Sequence, residues 1–239
     1  MVNITIGITY YDNYDALQKV IKHYKNFINC NFILVDDGSP IKPLTSNDVP
    51  DHWSLYRVTK DIGWNNEGCR NLIAHVCETE WLCLTDMDYV IKQSDINFND
   101  FEKDCIYFFA DTDWLKYWLK PSTNNRAELN RILKNGRGPF FDHNQIFTTK
   151  KYFWQCGGYD ETYIGYYGAD GSLITKYNKF NYNISEYEVI SVRNEKDEGI
   201  GNTNDNRKDL LGRGLKNKWK IPKKEIHNKK LTFPWVKIK

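Results

Sequence analysis

Within its first 90 residues the chain alternates between short apolar runs and stretches whose apolar residues recur at helical spacing. Val2 to Thr9 is rich in β-branched residues and reads as a strand, and Asn13 to Phe27 follows with Leu17, Val20, Ile21, Tyr24 and Phe27 on one helical face. Phe32 to Val35 is an unbroken apolar run, the mark of a parallel strand buried on both faces, and it ends in the turn residues Asp36-Asp37-Gly38-Ser39-Pro40. Leu55 to Thr59 gives a third strand, Asn66 to Cys77 a second helix, and Trp81 to Thr85 a fourth strand that stops at Asp86-Met87-Asp88. Strands and helices in this alternation pack as an open, mostly parallel, doubly wound α/β sheet with helices on both faces.

Beyond residue 90 the pattern loosens. Cys105 to Ala110, Gln145 to Thr149 and Ile184 to Val192 read as strands; Thr112 to Leu119, Asn125 to Leu133, Lys150 to Cys156 and Gly168 to Phe180 read as helices; Asn194 to Asn206 is a polar loop. No repeat or low-complexity linker divides the 239 residues, so the expectation is one domain over 1–215, with halves at about 1–90 and 91–215, and a separate tail at 216–239. A net charge of +2 gives the molecule no overall field for nucleic acid. The tail from Lys216 to Lys239 carries nearly all its charge as Lys, which suits a solvated extension or contact with an anionic membrane surface. No run of about 18 apolar residues is present and the first residues lack a signal-peptide pattern, so the expectation is a soluble, cytoplasmic protein. The six cysteines are scattered without Cys-x-x-Cys spacing, which predicts buried reduced thiols.

Open α/β sheets bind ligands beyond the carboxyl ends of their strands, and acidic residues stand at two such ends. Asp36 and Asp37 can accept hydrogen bonds from a base or ribose. Asp86 and Asp88, two residues apart, offer oxygen ligands suited to Mg²⁺ or Mn²⁺, which would neutralise charge on a departing diphosphate. Either pair alone is commonly just turn chemistry.

In order and spacing, Ile8-Thr9-Tyr10-Tyr11, Val35-Asp36-Asp37-Gly38-Ser39, Asp61 to Asn71 and Leu84-Thr85-Asp86-Met87-Asp88 resemble the GT-A nucleotide-sugar glycosyltransferases, specifically the inverting group called glycosyltransferase family two. Gly157-Gly158-Tyr159-Asp160-Glu161 and Gly165 to Asp170 resemble the galactosyltransferase-type members. The resemblance implies a GT-A fold whose first half binds a nucleotide sugar, with a uridine diphosphate sugar favoured, and whose second half meets a glycan or glycoconjugate acceptor. It implies that Thr9 and Tyr10 form the nucleotide pocket, that Asp37 or Asp36 reads the base, and that Arg70 neutralises phosphate or braces Asp86. Asp86 would meet the ribose or the metal, Asp88 would be the principal ligand of Mn²⁺ or Mg²⁺, and Tyr166 would lie near donor sugar and acceptor. Asp170, at the start of an expected helix whose dipole favours its ionised form, would be the general base. Trp64, on a loop beyond a strand, suits the rim of the site.

The chain departs from that pattern at three places. Ala169 stands where the family has Glu, Gly171 and Ser172 replace further acids, and the His expected after the final strand as a third metal ligand is missing, leaving Asn194 or Glu195 as substitutes, with His143 and His227 as other stand-ins. Trp114, Tyr117 and Trp118 fit a sugar-stacking platform or, at their helical spacing, a core face. Gly136 to His143 suits a mobile acceptor loop or an irregular connection. Two other functions remain: a non-catalytic GT-A-like module that binds glycan or a partner, and a sugar-nucleotide nucleotidyltransferase. The second needs a Gly-rich phosphate loop after the first strand, and Thr9-Tyr10-Tyr11-Asp12-Asn13 is not one.

Overall fold

Strand β1 (Ile4–Tyr10) divides the core in two. Its side chains alternate across the sheet as the period of two demands, so Ile4, Ile6, Ile8 and Tyr10 enter one apolar cluster while Gly7 faces Ile73 and Leu84 of the other. Helix α1 (Tyr14–Tyr24) covers the first face through Leu17, Val20 and Tyr24. Its start is fixed by Asn13, whose side chain accepts a hydrogen bond from the Ala16 amide at 3.2 Å, and its charges suit the helix dipole, with Asp15 early and Lys22 and His23 late. Helix α2 (Asn66–Val76) covers the opposite face through Cys69, Leu72, Ile73 and Ala74. Helices therefore lie on both faces of the sheet, as the alternating pattern predicts.

The computed structural model describes residues 4–27, 29–92, 96–111, 141–161, 166–167, 182–192, 216–217 and 231–239. Its further elements are β2 (Cys30–Asp36), β3 (Trp53–Val58), β4 (Trp81–Asp86), β5 (Tyr89–Ile91), β6 (Ile106–Asp111), β7 (Phe141–Thr149), α3 (Lys150–Gln155), β8 (Tyr166–Tyr167), β9 (Tyr182–Ser191), β10 (Lys216–Asn217) and β11 (Trp235–Lys237). Nine strands form one sheet in the order β11-β3-β2-β1-β4-β7-β6-β9-β5, and β8 pairs with β10 separately. The run β3-β2-β1-β4 is parallel throughout. Past β4 the sheet becomes mixed: β7 runs antiparallel to β4 and to β6, β9 parallel to β6, and β5 antiparallel to β9. The expected parallel character thus belongs to the first half, whose helical crossovers α1 and α2 are what parallel neighbours require. At the joint between the halves Trp81 stacks on Phe147, with centroids 4.9 Å apart and planes 2° from parallel, and Phe101 packs on Phe147 at 4.7 Å.

The end of the Lys-rich segment is not a solvated extension. β11 pairs antiparallel with β3, with Trp235 opposite Val58 and Lys237 opposite Tyr56, and Phe233 is buried. Trp235-Val236-Lys237 supplies the aromatic and β-branched residues that suit an edge strand, a short signal that the surrounding lysines mask. All six cysteines are free thiols, five of them buried and Cys30 partly so. The helices expected at Thr112 to Leu119, Asn125 to Leu133 and Gly168 to Phe180 lie outside the described residues. No helix among the described residues is long and apolar enough to cross a membrane.

A Cβ added at Gly7 would stand 2.3 Å from Cγ2 of the buried Ile73, so α2 can approach β1 only over a residue without a side chain. Gly7→Ala is expected to lower unfolding stability in urea by about 1–3 kcal/mol, the usual cost of overpacking a tight core. An unchanged midpoint would contradict the packing described.

Candidate functional site

β2 and β3 lie on one side of β1 and β4 on the other, so the strand order reverses at β1 and a crevice opens at the carboxyl ends of β1 and β4. Register places Thr9 opposite Asp86 across that crevice. The two are joined through the first turn of α2: Thr9 Oγ1 donates to Asn66 Oδ1 at 2.5 Å, and Asn66 Nδ2 donates to Asp86 Oδ1 at 3.2 Å. Arg70, one turn further along α2 and fully buried, donates from Nη2 to the same Asp86 oxygen at 2.5 Å and from Nη1 to the Tyr159 hydroxyl at 3.0 Å, with its guanidinium 5.3 Å from the centre of the Tyr159 ring. Of the two roles the resemblance gave Arg70, bracing Asp86 is the one this geometry performs. The Asp86 amide is held from below by Gln145 Oε1 at 3.1 Å, while the Asp86 side chain keeps 23% of its surface exposed to the crevice.

The adjacent acids at the end of β2 do different work. Asp36 is fully buried and saturated: Oδ1 accepts from the Ser39 amide at 2.9 Å, and Oδ2 accepts from the Leu44 amide at 2.9 Å and from Arg57 Nε at 3.0 Å. Arg57 also donates to the Leu44 carbonyl. Asp36 therefore pins the 39–44 loop, with both oxygens hydrogen-bonded inside the protein and no exposed surface. Asp37 Oδ2 accepts from the Asn65 amide at 2.9 Å, the Cys69 thiol and the Asn65 side chain lie against the carboxyl, and Oδ1 is buried without a geometric hydrogen bond among the described residues. Burial pushes the Asp37 carboxyl up to about 8, against the lowering pull of the Asn65 amide. Gly38 between this pair and Ser39 has φ +72°, a conformation that favours glycine.

Tyr10 lies in the interior. It shares the core face of β1 with Ile4, Ile6 and Ile8, and its hydroxyl donates to the Lys42 carbonyl at 2.9 Å, so it braces the 39–44 loop from beneath. Tyr11, one residue on and partly exposed, has its hydroxyl 3.5 Å from Asp61 Oδ2. Tyr10 takes its place by the two-residue alternation along β1, and Tyr11 lies just beyond the strand. Trp64 lies partly exposed on the loop after β3, between Gly63 and Asn65. Asn66, Gln145 and Tyr159 complete the network; Asn66 and Tyr159 lie within the quoted motifs without a role assigned to them, and Gln145 becomes visible only once β7 is placed against β4.

Asp88 is nearly buried beyond the end of β4, and its carbonyl accepts from the Val192 amide at 2.9 Å, which brings the end of β9 to the acidic turn. Asn194 and Glu195, the substitutes for the missing His, follow Val192 closely but lie outside the described residues, as do His227, Asp170, Ala169, Trp114, Tyr117 and Trp118. His143 and Tyr166 are placed only as backbone, in β7 and β8. Among the described residues no three or more His, Cys, Asp and Glu are gathered to hold a metal ion. Asp86 and Asp88 are hard oxygen donors of the kind Mg²⁺ and Mn²⁺ take, and Asp86 Oδ1 is already paired with the Arg70 charge and accepts from the Asn66 side-chain amide.

No protein-family model and no curated protein sequence matches this chain. Among solved structures, the catalytic domain of Drosophila β1,4-galactosyltransferase 7 in complex with xylobiose is similar at 9% identity and a TM-score of 0.51, covering 82% of this chain and 73% of that one. A variant of the same enzyme in complex with manganese, UDP-Gal and xylobiose is similar at 9% identity and a TM-score of 0.50, over 82% and 74% of the two chains. The fold is that of the GT-A glycosyltransferases. The glycosyltransferase GlyE of Streptococcus pneumoniae, at 9% identity, a TM-score of 0.42 and 78% and 46% coverage, is too distant to carry an argument. At these identities the likeness establishes the GT-A fold alone, and the residues of the crevice are this chain's own.

The raised Asp37 carboxyl makes a pH dependence. Between its unfolded value of 3.8 and about 8 the folded protein holds a proton that the unfolded chain releases, so stability from this group is present at low pH and is lost as pH rises toward 8. Asp37→Asn keeps an acceptor for the Asn65 amide and removes the titration. The stability of the wild type relative to Asp37→Asn, read from urea midpoints, is expected to fall from pH 5 to pH 8.5; parallel profiles would contradict it.

Proposed function

We propose that this chain is a metal-dependent inverting glycosyltransferase that moves a sugar from a nucleoside diphosphate donor, with a uridine diphosphate sugar favoured, to a hydroxyl of a glycan or glycoconjugate. The observation that carries the reading is the arrangement at the β1–β4 crevice. A buried acceptor without a partner, Asp37 Oδ1, stands beside the Thr9–Asn66–Asp86–Arg70 network, on a fold whose similar structures include one holding manganese, UDP-Gal and xylobiose.

In this reading Asp37 accepts an N–H of the base, with Tyr11 and Trp64 walling the pocket. Thr9 serves by holding Asn66, and so Asp86, in register. Asp86 meets the ribose with the oxygen that Arg70 leaves open, and Asp88 is the principal ligand of a divalent cation, helped by Asp86 and by Asn194 or Glu195. The cation supplies positive charge to the diphosphate as it leaves. Asp170 takes the proton from the acceptor hydroxyl as the acceptor oxygen bonds to the anomeric carbon and the bond from that carbon to the diphosphate breaks, on the opposite face. Tyr166 lies beside the sugar. Ala169, in place of the family's Glu, removes one hydrogen-bonding group from the acceptor side and points to an acceptor held by other contacts.

Release of nucleoside diphosphate from a panel of nucleotide sugars tests this reading. The expected outcome is release from a uridine diphosphate sugar with Mn²⁺, abolished by EDTA and lowered about 100-fold or more in Asp88→Ala, the scale on which one electrostatic group contributes to a transition state. Silence across the panel, together with no nucleotide binding, would instead favour a non-catalytic module that binds glycan or a partner.

A further inference from the structure

The last nine residues pack against the half of the molecule from which they are most distant in sequence. Glu161, in the turn after α3, accepts the Leu231 amide at 2.6 Å on Oε1, and the Thr232 amide at 3.0 Å and the Thr232 hydroxyl at 3.2 Å on Oε2. Asn71 of α2 donates to the same Glu161 Oε1 at 2.9 Å, tying this anchor to the helix that carries Asn66 and Arg70. The Thr59 amide then bonds to the Pro234 carbonyl at 3.0 Å, β11 pairs with β3, and Lys239 Nζ bonds to the carbonyls of Ser46 and Val49 at 3.1 Å each and to Asp51 at 3.0 Å.

Between the Glu161 anchor and β11 sits Phe233, buried against the first turn of α2. A Cβ at Gly68 would lie 2.6 Å from Phe233 Cε1 and 2.2 Å from Asn65 Oδ1, so ring edge and amide oxygen crowd the same point. Asn65 Oδ1 is buried and has no hydrogen-bond partner; the positive edge of an aromatic ring is the neighbour that suits it. The backbone amide of this same Asn65 holds Asp37.

We propose that residues 231–239 are a built-in wall of the nucleotide pocket and that Phe233 is a positioning residue, fixing Asn65 and, through the Asn65 amide, the Asp37 carboxyl that reads the base. The proposal rests on the reading of Asp37 given above. It also accounts for the apolar run Phe-Pro-Trp-Val near the end of a Lys-rich segment.

Calorimetry on the full chain with two probes, UDP and pyrophosphate in Mg²⁺, separates base contact from phosphate contact. Phe233→Ala is expected to weaken UDP by about tenfold or more, as a displaced positioning group does, with pyrophosphate unchanged and Phe233→Leu recovering most of the loss. Glu161→Gln, which touches Asn71 and the 231–232 anchor and no residue proposed to meet the nucleotide, is expected to weaken UDP in the same direction; it and Phe233→Leu carry the test if Phe233→Ala does not melt cooperatively. UDP binding equal to wild type in these variants, or UDP and pyrophosphate weakened alike, would overturn the proposal. Wild type that binds pyrophosphate as tightly as UDP would instead overturn the reading of Asp37 itself.

Discussion

The structure turns on the ion pair between Arg70 and Asp86. A fully buried guanidinium needs its charge met, and removing one partner of such a pair costs about 3–5 kcal/mol because the other is left uncompensated. Arg70 meets that need with Asp86 on one side and Tyr159 on the other, so a single side chain of α2 links the end of β4 to the turn after α3. Asn66 and Thr9 extend the link to β1, and Gln145 closes it from β7. Four separate parts of the chain thereby fix the position of one partly exposed carboxylate at the reversal of strand order, where a ligand would be met by groups already in place. Such preorganisation is what electrostatic catalysis requires.

The two halves of the sheet are built for different tasks. The parallel run β3-β2-β1-β4, covered on both faces by helices, is rigid and ends in a row of turns that carry Tyr11, Asp37 and Asp86. The mixed half is joined to it through β4 and β7, where Trp81, Phe147, Phe101 and Tyr107 pack together, and it returns the end of β9 to Asp88. β11 then closes the outer edge of the parallel half, with Lys239 clamped on the 46–51 loop. A sheet edge left open there would present unpaired backbone groups along the parallel half.

Much of this was legible in the residues, for definite reasons. The parallel strands are unbroken apolar runs because both faces are buried, and α1 and α2 show their buried stripes plainly, so these elements lie within a few residues of where the pattern puts them. Asp86 and Arg70 were also legible, since the motif order set them at a strand end and on the helix beside it. What the motifs did not distinguish was the side of the strand. Tyr10 and Tyr11, and Asp36 and Asp37, are adjacent and chemically alike; Tyr10 ends β1 in the core while Tyr11 lies beyond the strand, both acids are buried but with different partners, and the loop that Asp36 pins depends on Arg57, far outside the motif. Phe233 and β11 were hidden for another reason: three strand residues amid lysines carry almost no local signal, and their pairing with β3 is a contact across most of the chain. Gln145 and Asn66 are ordinary polar residues until the fold brings them to Asp86.

The central claim is that the crevice between the ends of β1 and β4 holds a nucleoside diphosphate and a divalent cation. A crystal structure of the full chain grown with UDP and Mn²⁺ tests it most directly, because manganese declares itself by anomalous scattering and the base by its shape. The account expects the metal at Asp88 and the base against Asp37, with Arg70 still on Asp86. Nucleotide bound elsewhere on the molecule, or manganese away from the Asp86-Met87-Asp88 turn, would contradict it.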